Sequence, residues 1–165
     1  MKHLLDSNTL IEAKNRYYNM SFCPAYWQWI SIQNQAAEVS SISMVADELK
    51  KGNDELAQWV IKNPKLFSGV DDTETQAAFS KVVQALSEQA AQMKNGALDE
   101  FLSGADPWLI AKAMTTGAVV VTQESYNPDI KRKFQIPNVC KIFNVQWMNT
   151  FDLLAKLDAK FVLPA

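Results

Sequence analysis

The 165-residue sequence contains one histidine, His3, and two cysteines, Cys23 and Cys140. The cysteines lie far apart, form no CxxC pair and have no histidine nearby, which argues against a zinc site. Each stands among apolar or aromatic residues, and this setting favours buried free thiols.

The sequence also lacks an excess of positive charge. Sixteen Lys and Arg residues stand against 18 Asp and Glu residues, for a net charge of -2. A chain with this balance has no global positive field to attract nucleic acid. Any RNA binding must therefore use a local basic patch.

Long hydrophobic runs are missing as well. The N-terminal apolar run is too short for a signal peptide, and no stretch approaches the length of a membrane span. We therefore expect a cytoplasmic protein with no membrane association. Apolar residues are nonetheless plentiful, at 48% of the chain, and they predict one domain with a sizeable core over residues 1–165.

Strand and helix signals alternate along the chain, which predicts an α/β fold with a parallel sheet. The runs 3–5 and 118–122 predict strands, and the second is β-branched throughout, as in a central strand covered on both faces. We expect a mobile loop over 125–135. The aromatic segment 17–29 leads into a predicted helix that continues to about residue 37. Further helices are predicted over 9–16, 45–51, 54–62, 73–94, 97–102, 106–116 and 145–157. A strand is predicted over 139–143, and the segment 161–163 is expected to form an edge strand or to pack on the surface.

Four acidic residues lie where these elements begin or end. Asp6 ends the first strand and Glu124 follows the Val-rich strand, while Asp106 begins a helix and Glu48 lies within one. Ligands of parallel α/β sheets bind outside the carboxyl ends of the strands, so the four carboxylates are expected to converge on one cleft. Ionised carboxylates in one cleft repel each other, and Mg²⁺ or Mn²⁺ would neutralise them. Such a cation would activate water for attack on a phosphodiester.

Each acid also has a structural explanation. Asp106 before Pro107 is fully explained as a helix N-cap. Glu48 is explained as a surface residue of a helix, and Asp6 and Glu124 as turn residues after strands. The functional interpretation therefore rests on the four acids together.

Four segments resemble motifs of the PIN-domain family and occur in the family's order. Leu4-Leu5-Asp6-Ser7-Asn8 resembles its opening motif, and Val45-Ala46-Asp47-Glu48-Leu49 resembles its Val-x-x-Glu-Leu helix. The segment 106–113, Asp-Pro-Trp-Leu-Ile-Ala-Lys-Ala, is similar to its Asp-x-x-Ile-Ala-x-Ala helix start. The segment 120–124, Val-Val-Thr-Gln-Glu, resembles its Val-x-Thr-x-Asp/Glu strand end.

The resemblance implies a three-layer PIN-like α/β fold, with a central parallel sheet flanked by helices. It also implies Mg²⁺ or Mn²⁺ at Asp6, Glu48, Asp106 and Glu124, and ribonuclease activity as in toxins of bacterial toxin-antitoxin pairs. An RNA substrate, an antitoxin partner and a homodimer are then expected. The aromatic insertion 17–29 departs from the commonest toxin-like members, as does Glu124 where Asp is frequent.

Further polar residues are candidates for supporting roles. Asn8 and Thr122 match polar motif positions and would bond a metal-bound water or a neighbouring carboxylate, although capping and turn bonds explain them equally well. A charge run is usually a solvated face, yet basic residues also contact RNA phosphates. The candidates for such contacts are Lys14, Arg16, Lys131, Arg132 and Lys133.

Two other functions stay open. A PIN-like module would bind RNA or a protein without robust nuclease activity. A receiver-like domain would accept a phosphoryl group on Asp6, since flavodoxin-like folds also place acids at strand ends.

Overall fold

The computed structural model describes residues 2–165 and contains a five-stranded sheet in the order β3-β2-β1-β4-β5. All four strand pairs are parallel. The strands are β1 (His3–Leu5), β2 (Val39–Ile42), β3 (Phe67–Ser68), β4 (Val119–Val121) and β5 (Trp147–Met148).

Helices flank this sheet, so the predicted three-layer α/β arrangement is confirmed. A π-helical turn, Ala13–Tyr17, continues the first helix. Among residues 2–165, no helix is both long and apolar enough to cross a membrane. The α-helices are α1 (Ser7–Glu12), α2 (Pro24–Gln35), α3 (Ser43–Lys50), α4 (Glu55–Lys62), α5 (Thr73–Gln89), α6 (Ala97–Ser103), α7 (Asp106–Thr116), α8 (Ile136–Ile142) and α9 (Thr150–Lys156).

The order of the strands changes direction at β1. The chain runs from β1 through β2 to β3 on one side and then places β4 on the other side, with Leu5 opposite Val121. Both of these side chains are fully buried. The carboxyl ends of β1 and β4 therefore meet at a switch point, where α/β sheets form their ligand crevice.

The aromatic insertion contributes to the core. Tyr26 is fully buried on α2, and its ring stacks on that of Tyr18 with 4.6 Å between centroids. Phe161 packs edge-on against both rings, whereas Val162 and Leu163 are exposed, and the segment 161–163 forms no strand. Cys140 is buried, Cys23 is half-buried, and both are free thiols.

Two sequence-based assignments near the C-terminus are wrong. Residues 139–142 of the predicted strand 139–143 belong to helix α8, where Ile136, Val139 and Cys140 are buried at the i, i+3, i+4 spacing of a helix face. The predicted helix 145–157 is divided into β5 and α9, because Asn149 and Asp152 form a capping box that starts a new helix.

Truncation of a core side chain tests the packing of α7 on the sheet. Ile110 lies in α7 and is fully buried, whereas Ile61 in α4 is 54% exposed. We expect Ile110→Ala to lower the free energy of unfolding by about 2–5 kcal/mol, and Ile61→Ala to change it by less than about 0.5 kcal/mol. Urea unfolding measures both. Equal losses in the two variants would contradict the packing described.

Candidate active site

Asp6 joins the two central strands at their carboxyl ends. It is 1% exposed and caps α1, accepting hydrogen bonds at Oδ1 from the Thr9 backbone N–H (2.7 Å) and hydroxyl (2.6 Å). Its Oδ2 accepts a 2.8 Å bond from the Thr122 hydroxyl, just past β4. Burial raises the pKa of Asp6, and the bonds from Thr9 and Thr122 oppose that rise.

Glu48 connects α3 to two neighbouring segments. Its Oε2 accepts a 2.6 Å bond from the Ser7 hydroxyl, and its Oε1 accepts a 2.8 Å bond from the Ala105 backbone N–H. Gly104 allows this approach, because a Cβ there would lie 3.3 Å from Oε1. Glu48 therefore fixes the loop before Asp106, which the explanation as a surface helix residue does not account for.

Asp106 is the first residue of α7, with Ala105 at the N-cap position. The sequence-based explanation of Asp106 as the N-cap is wrong, because Ala105 holds that position and Asp106 lies inside the helix. Burial raises its pKa to about 7, assisted by the negative charges of Asp6, Glu124 and Glu48. The geometry thus leaves this carboxyl group available for a ligand.

Glu124 lies beside a lysine. Its side chain is 13% exposed, and Lys133 Nζ lies 3.6 Å from Oε2. This oxygen is buried and has no hydrogen-bond partner among the described residues. Burial raises the pKa of Glu124, and the positive charge of Lys133 opposes the rise. Lys133 was predicted as a phosphate contact, and the structure adds that it is the counter-charge of an acid in the site.

Three of the four acids line one cavity of about 210 Å³, called the acidic cavity below. Glu48, Asp106 and Glu124 line it together with Asn8 and Lys133. Asp6 lies close enough for its charge to raise the pKa of both Asp106 and Glu124. The fold therefore brings three of the four acids to one cavity, while Asp6 does not line it.

The donors in the acidic cavity are chemically suited to a hard divalent cation. They are carboxylate oxygens, and the buried Oε2 of Glu124 has no hydrogen-bond donor among residues 2–165. No three His, Cys, Asp or Glu side chains of the described chain are arranged to hold a metal ion together. Mg²⁺ commonly takes one or two protein carboxylates and keeps several waters, so this looser arrangement fits it.

The supporting candidates are distributed unevenly. Asn8 is exposed at the acidic cavity, whereas Lys14 forms a 2.6 Å ion pair with Asp54 and does not line it. Arg16 and Arg132 are exposed and also lie outside its lining, and Lys131 lines a neighbouring cavity.

Sequence reasoning missed Ser7 and Thr9. The spacing of Asp6 and Thr9 is that of an N-cap and its N3 residue, and this pattern would have indicated their bond. The bond between Ser7 and Glu48 spans 41 residues. No local sequence pattern predicts a contact between residues so far apart.

A family model described as "Domain of unknown function (DUF4411)" matches residues 3–161. The chain belongs to the DUF4411 family. No curated protein is significantly similar to this DUF4411 chain in sequence.

The fold has a counterpart among solved structures. A chain in the 2.2 Å resolution structure of VapBC-1 from nontypeable Haemophilus influenzae is similar with a TM-score of 0.54. The sequence identity is 14%, and the match covers 90% of the DUF4411 chain and 98% of the other. At this identity the likeness shows the fold alone, and that fold is three-layer and PIN-like, as the motifs implied.

The raised pKa of Asp106 predicts how the stability of the DUF4411 protein depends on pH. Between the model-peptide value of 3.8 and about 7, the folded state binds more protons at Asp106 than the unfolded state does. The contribution of this group to stability therefore falls as pH rises. In EDTA, we expect Asp106→Asn to be more stable than the wild type at pH 8, by about 1–3 kcal/mol, and the difference to shrink towards pH 4.

Urea unfolding at several pH values measures this difference. The control is Asp129→Asn, at an exposed loop position, which is expected to track the wild type throughout. An Asp106→Asn protein that is less stable than the wild type at pH 8 would show that the ionised carboxylate is not disfavoured by its surroundings.

Proposed function

We propose that this protein is a Mg²⁺- or Mn²⁺-dependent endoribonuclease that hydrolyses RNA phosphodiesters, and that it acts as the toxin of a toxin-antitoxin pair. One observation carries the proposal: Glu48, Asp106 and Glu124, from three separate segments, line one cavity near the switch point of the sheet, where the pKa of Asp106 is raised to about 7. A carboxyl group held in this way gains most from a nearby cation.

The four acids divide by their existing partners. Asp106 forms no capping bond and is the group most available to a cation, whereas the buried Oε2 of Glu124 lacks a hydrogen-bond donor but faces the ammonium group of Lys133 at 3.6 Å. Asp6 and Glu48 already accept hydrogen bonds and contribute mainly negative charge and rigidity. A bound Mg²⁺ or Mn²⁺ would offset the repulsion and supply an activated water for phosphodiester hydrolysis.

Lys133 gives the acidic cavity a cationic group for the substrate. Its side chain is 46% exposed, lines the acidic cavity and lies against Glu124. A phosphate entering the cavity would find this ammonium group at its edge. Lys133 would thereby hold an anionic backbone next to acids that otherwise repel it.

The toxin part of the proposal rests on the PIN-like motifs, which imply an antitoxin partner. The similarity in fold to a chain of VapBC-1 is consistent with that part. A homodimer remains a prediction from the same resemblance.

A second candidate is a PIN-like binding module without robust nuclease activity. One observation favours it: among residues 2–165 no three ligating side chains are arranged around a common metal position, and Lys133 already neutralises Glu124. The receiver-like alternative has no such support. Asp6 is 1% exposed and both of its carboxylate oxygens accept hydrogen bonds, so a phosphoryl donor has no access to it.

Cleavage of unstructured RNA in Mn²⁺ tests the leading proposal. We expect the wild type to cut such RNA, EDTA to stop it, and Asp106→Asn and Asp6→Asn each to reduce the rate by more than about 100-fold. Asp47→Asn is the matched control, because Asp47 is exposed on α3 beside Glu48. It is expected to cleave at the wild-type rate.

Calorimetry with Mn²⁺ separates the two candidates. Metal binding that is lost in Asp106→Asn supports the nuclease. RNA binding without turnover would favour the binding module. Intact RNA together with no uptake of divalent ions would contradict the enzymatic proposal.

A further inference from the structure

A second cavity of about 260 Å³ adjoins the acidic cavity and is called the basic pocket below. Lys133 and Phe134 line both cavities, so the two are adjacent. Lys131 and Lys141 complete a set of three lysines around the basic pocket, and none of the described residues that line it is acidic. In a chain of net charge -2, this is a local site for an anion.

The basic pocket has an aromatic wall. Lys141 Nζ lies 4.4 Å from the ring centroid of Tyr126 and 3.2 Å from its hydroxyl oxygen. Tyr126 is 39% exposed, so part of its ring remains open to a ligand. A cation held over an aromatic ring is partly oriented before any ligand arrives. Tyr126 therefore offers a stacking surface and also positions a lysine.

Hydrogen bonds hold the loop that forms the basic pocket. The Asn127 backbone N–H donates to Asn138 Oδ1 (3.1 Å), and Asn138 Nδ2 donates to the Asn127 carbonyl (2.7 Å). On the other side, the Lys94 backbone N–H donates to the Lys131 carbonyl at 2.7 Å. The loop expected to be mobile from sequence is thus bonded to the segments on both sides of it.

We propose that the basic pocket binds one unpaired nucleotide of the RNA, next to the phosphodiester held in the acidic cavity. This inference rests on the proposed function and assigns the substrate a single-stranded path. Lys131 and Lys141 would contact its phosphates, and Tyr126 would stack on its base. The amides of Gln89 and Gln92, at the pocket wall, would bond the edges of that base.

The size and position of the basic pocket favour single-stranded RNA. Its volume of about 260 Å³ is of the size of a single nucleotide unit. An acidic peptide would also satisfy three lysines, but it has no reason to continue into the acidic cavity. A strand of RNA does continue there, because Lys133 carries the backbone from one cavity to the other.

The test is the affinity of the full-length protein for a labelled single-stranded oligouridine in EDTA, followed by fluorescence anisotropy. We expect the double variant Lys131→Ala/Lys141→Ala to bind about tenfold or more weakly. The slope of log K against log salt should become shallower by about 0.7 for each lysine–phosphate ion pair that the substitutions remove. Tyr126→Leu should bind on the order of tenfold more weakly, because the base no longer stacks on an aromatic ring.

The control is Lys156→Ala, at an exposed position in α9 outside the basic pocket, which is expected to bind as the wild type does. Unchanged melting temperatures show that the variants fold. Variants that bind oligouridine with wild-type affinity and salt slope would overturn the proposal, even if Mn²⁺-dependent cleavage persists. It would equally be overturned if the double variant lost binding of an oligoglutamate peptide but kept that of oligouridine.

The two proposals fail separately. Lysine-dependent binding of oligouridine by a protein that never cleaves RNA in Mn²⁺ supports the nucleotide site and contradicts the nuclease. Cleavage that proceeds with wild-type KM in both pocket variants, Lys131→Ala/Lys141→Ala and Tyr126→Leu, supports the nuclease and overturns the nucleotide site.

Discussion

Negative charge buried at the carboxyl ends of β1 and β4 is the constraint that the surrounding structure has to satisfy. A buried carboxylate costs several kcal/mol unless hydrogen bonds or opposite charges compensate it. Hydroxyl and amide donors from three segments compensate Asp6 and Glu48, and the ammonium group of Lys133 compensates Glu124. Asp106 has no capping bond and retains a pKa of about 7. The electrostatic compensation of the site is therefore incomplete at Asp106.

The topology explains why this constraint arises where it does. Placing β4 on the opposite side of β1 from β2 brings the ends of two buried strands together, and Thr122 bonds Asp6 across that junction. The bond from Glu48 to the Ala105 backbone then fixes the start of α7. A site with rigid acids on one side and exposed lysines on the other suits an anionic polymer that must approach a cation. The acidic cavity supplies the acids and the basic pocket supplies the lysines, and Lys133 lines both.

Local patterns predicted much of this arrangement. The β-branched run before Thr122, the turn at Asp6 and the ordered PIN-like motifs were sufficient to place the acids at one edge of a parallel sheet. These local patterns failed where the deciding contact joins residues far apart in the sequence, or where one run of residues fits both the strand and the helix periodicity. The run 139–143 is apolar enough for a strand, yet its burial has helical spacing. The N-cap of α7 is Ala105, whose backbone N–H donates to Glu48, a residue distant in sequence. The pairing of Lys133 with Glu124 likewise depends on how the loop folds back.

The central claim is that the acidic cavity holds a divalent cation through Asp106. Anomalous diffraction from a crystal soaked in Mn²⁺ tests it most directly. The account predicts a manganese peak at coordination distance from a carboxylate oxygen of Asp106, in the cavity that Glu48 and Glu124 also line, and no such peak in Asp106→Asn. A wild-type cavity without manganese, with Lys133 still paired to Glu124, would contradict it.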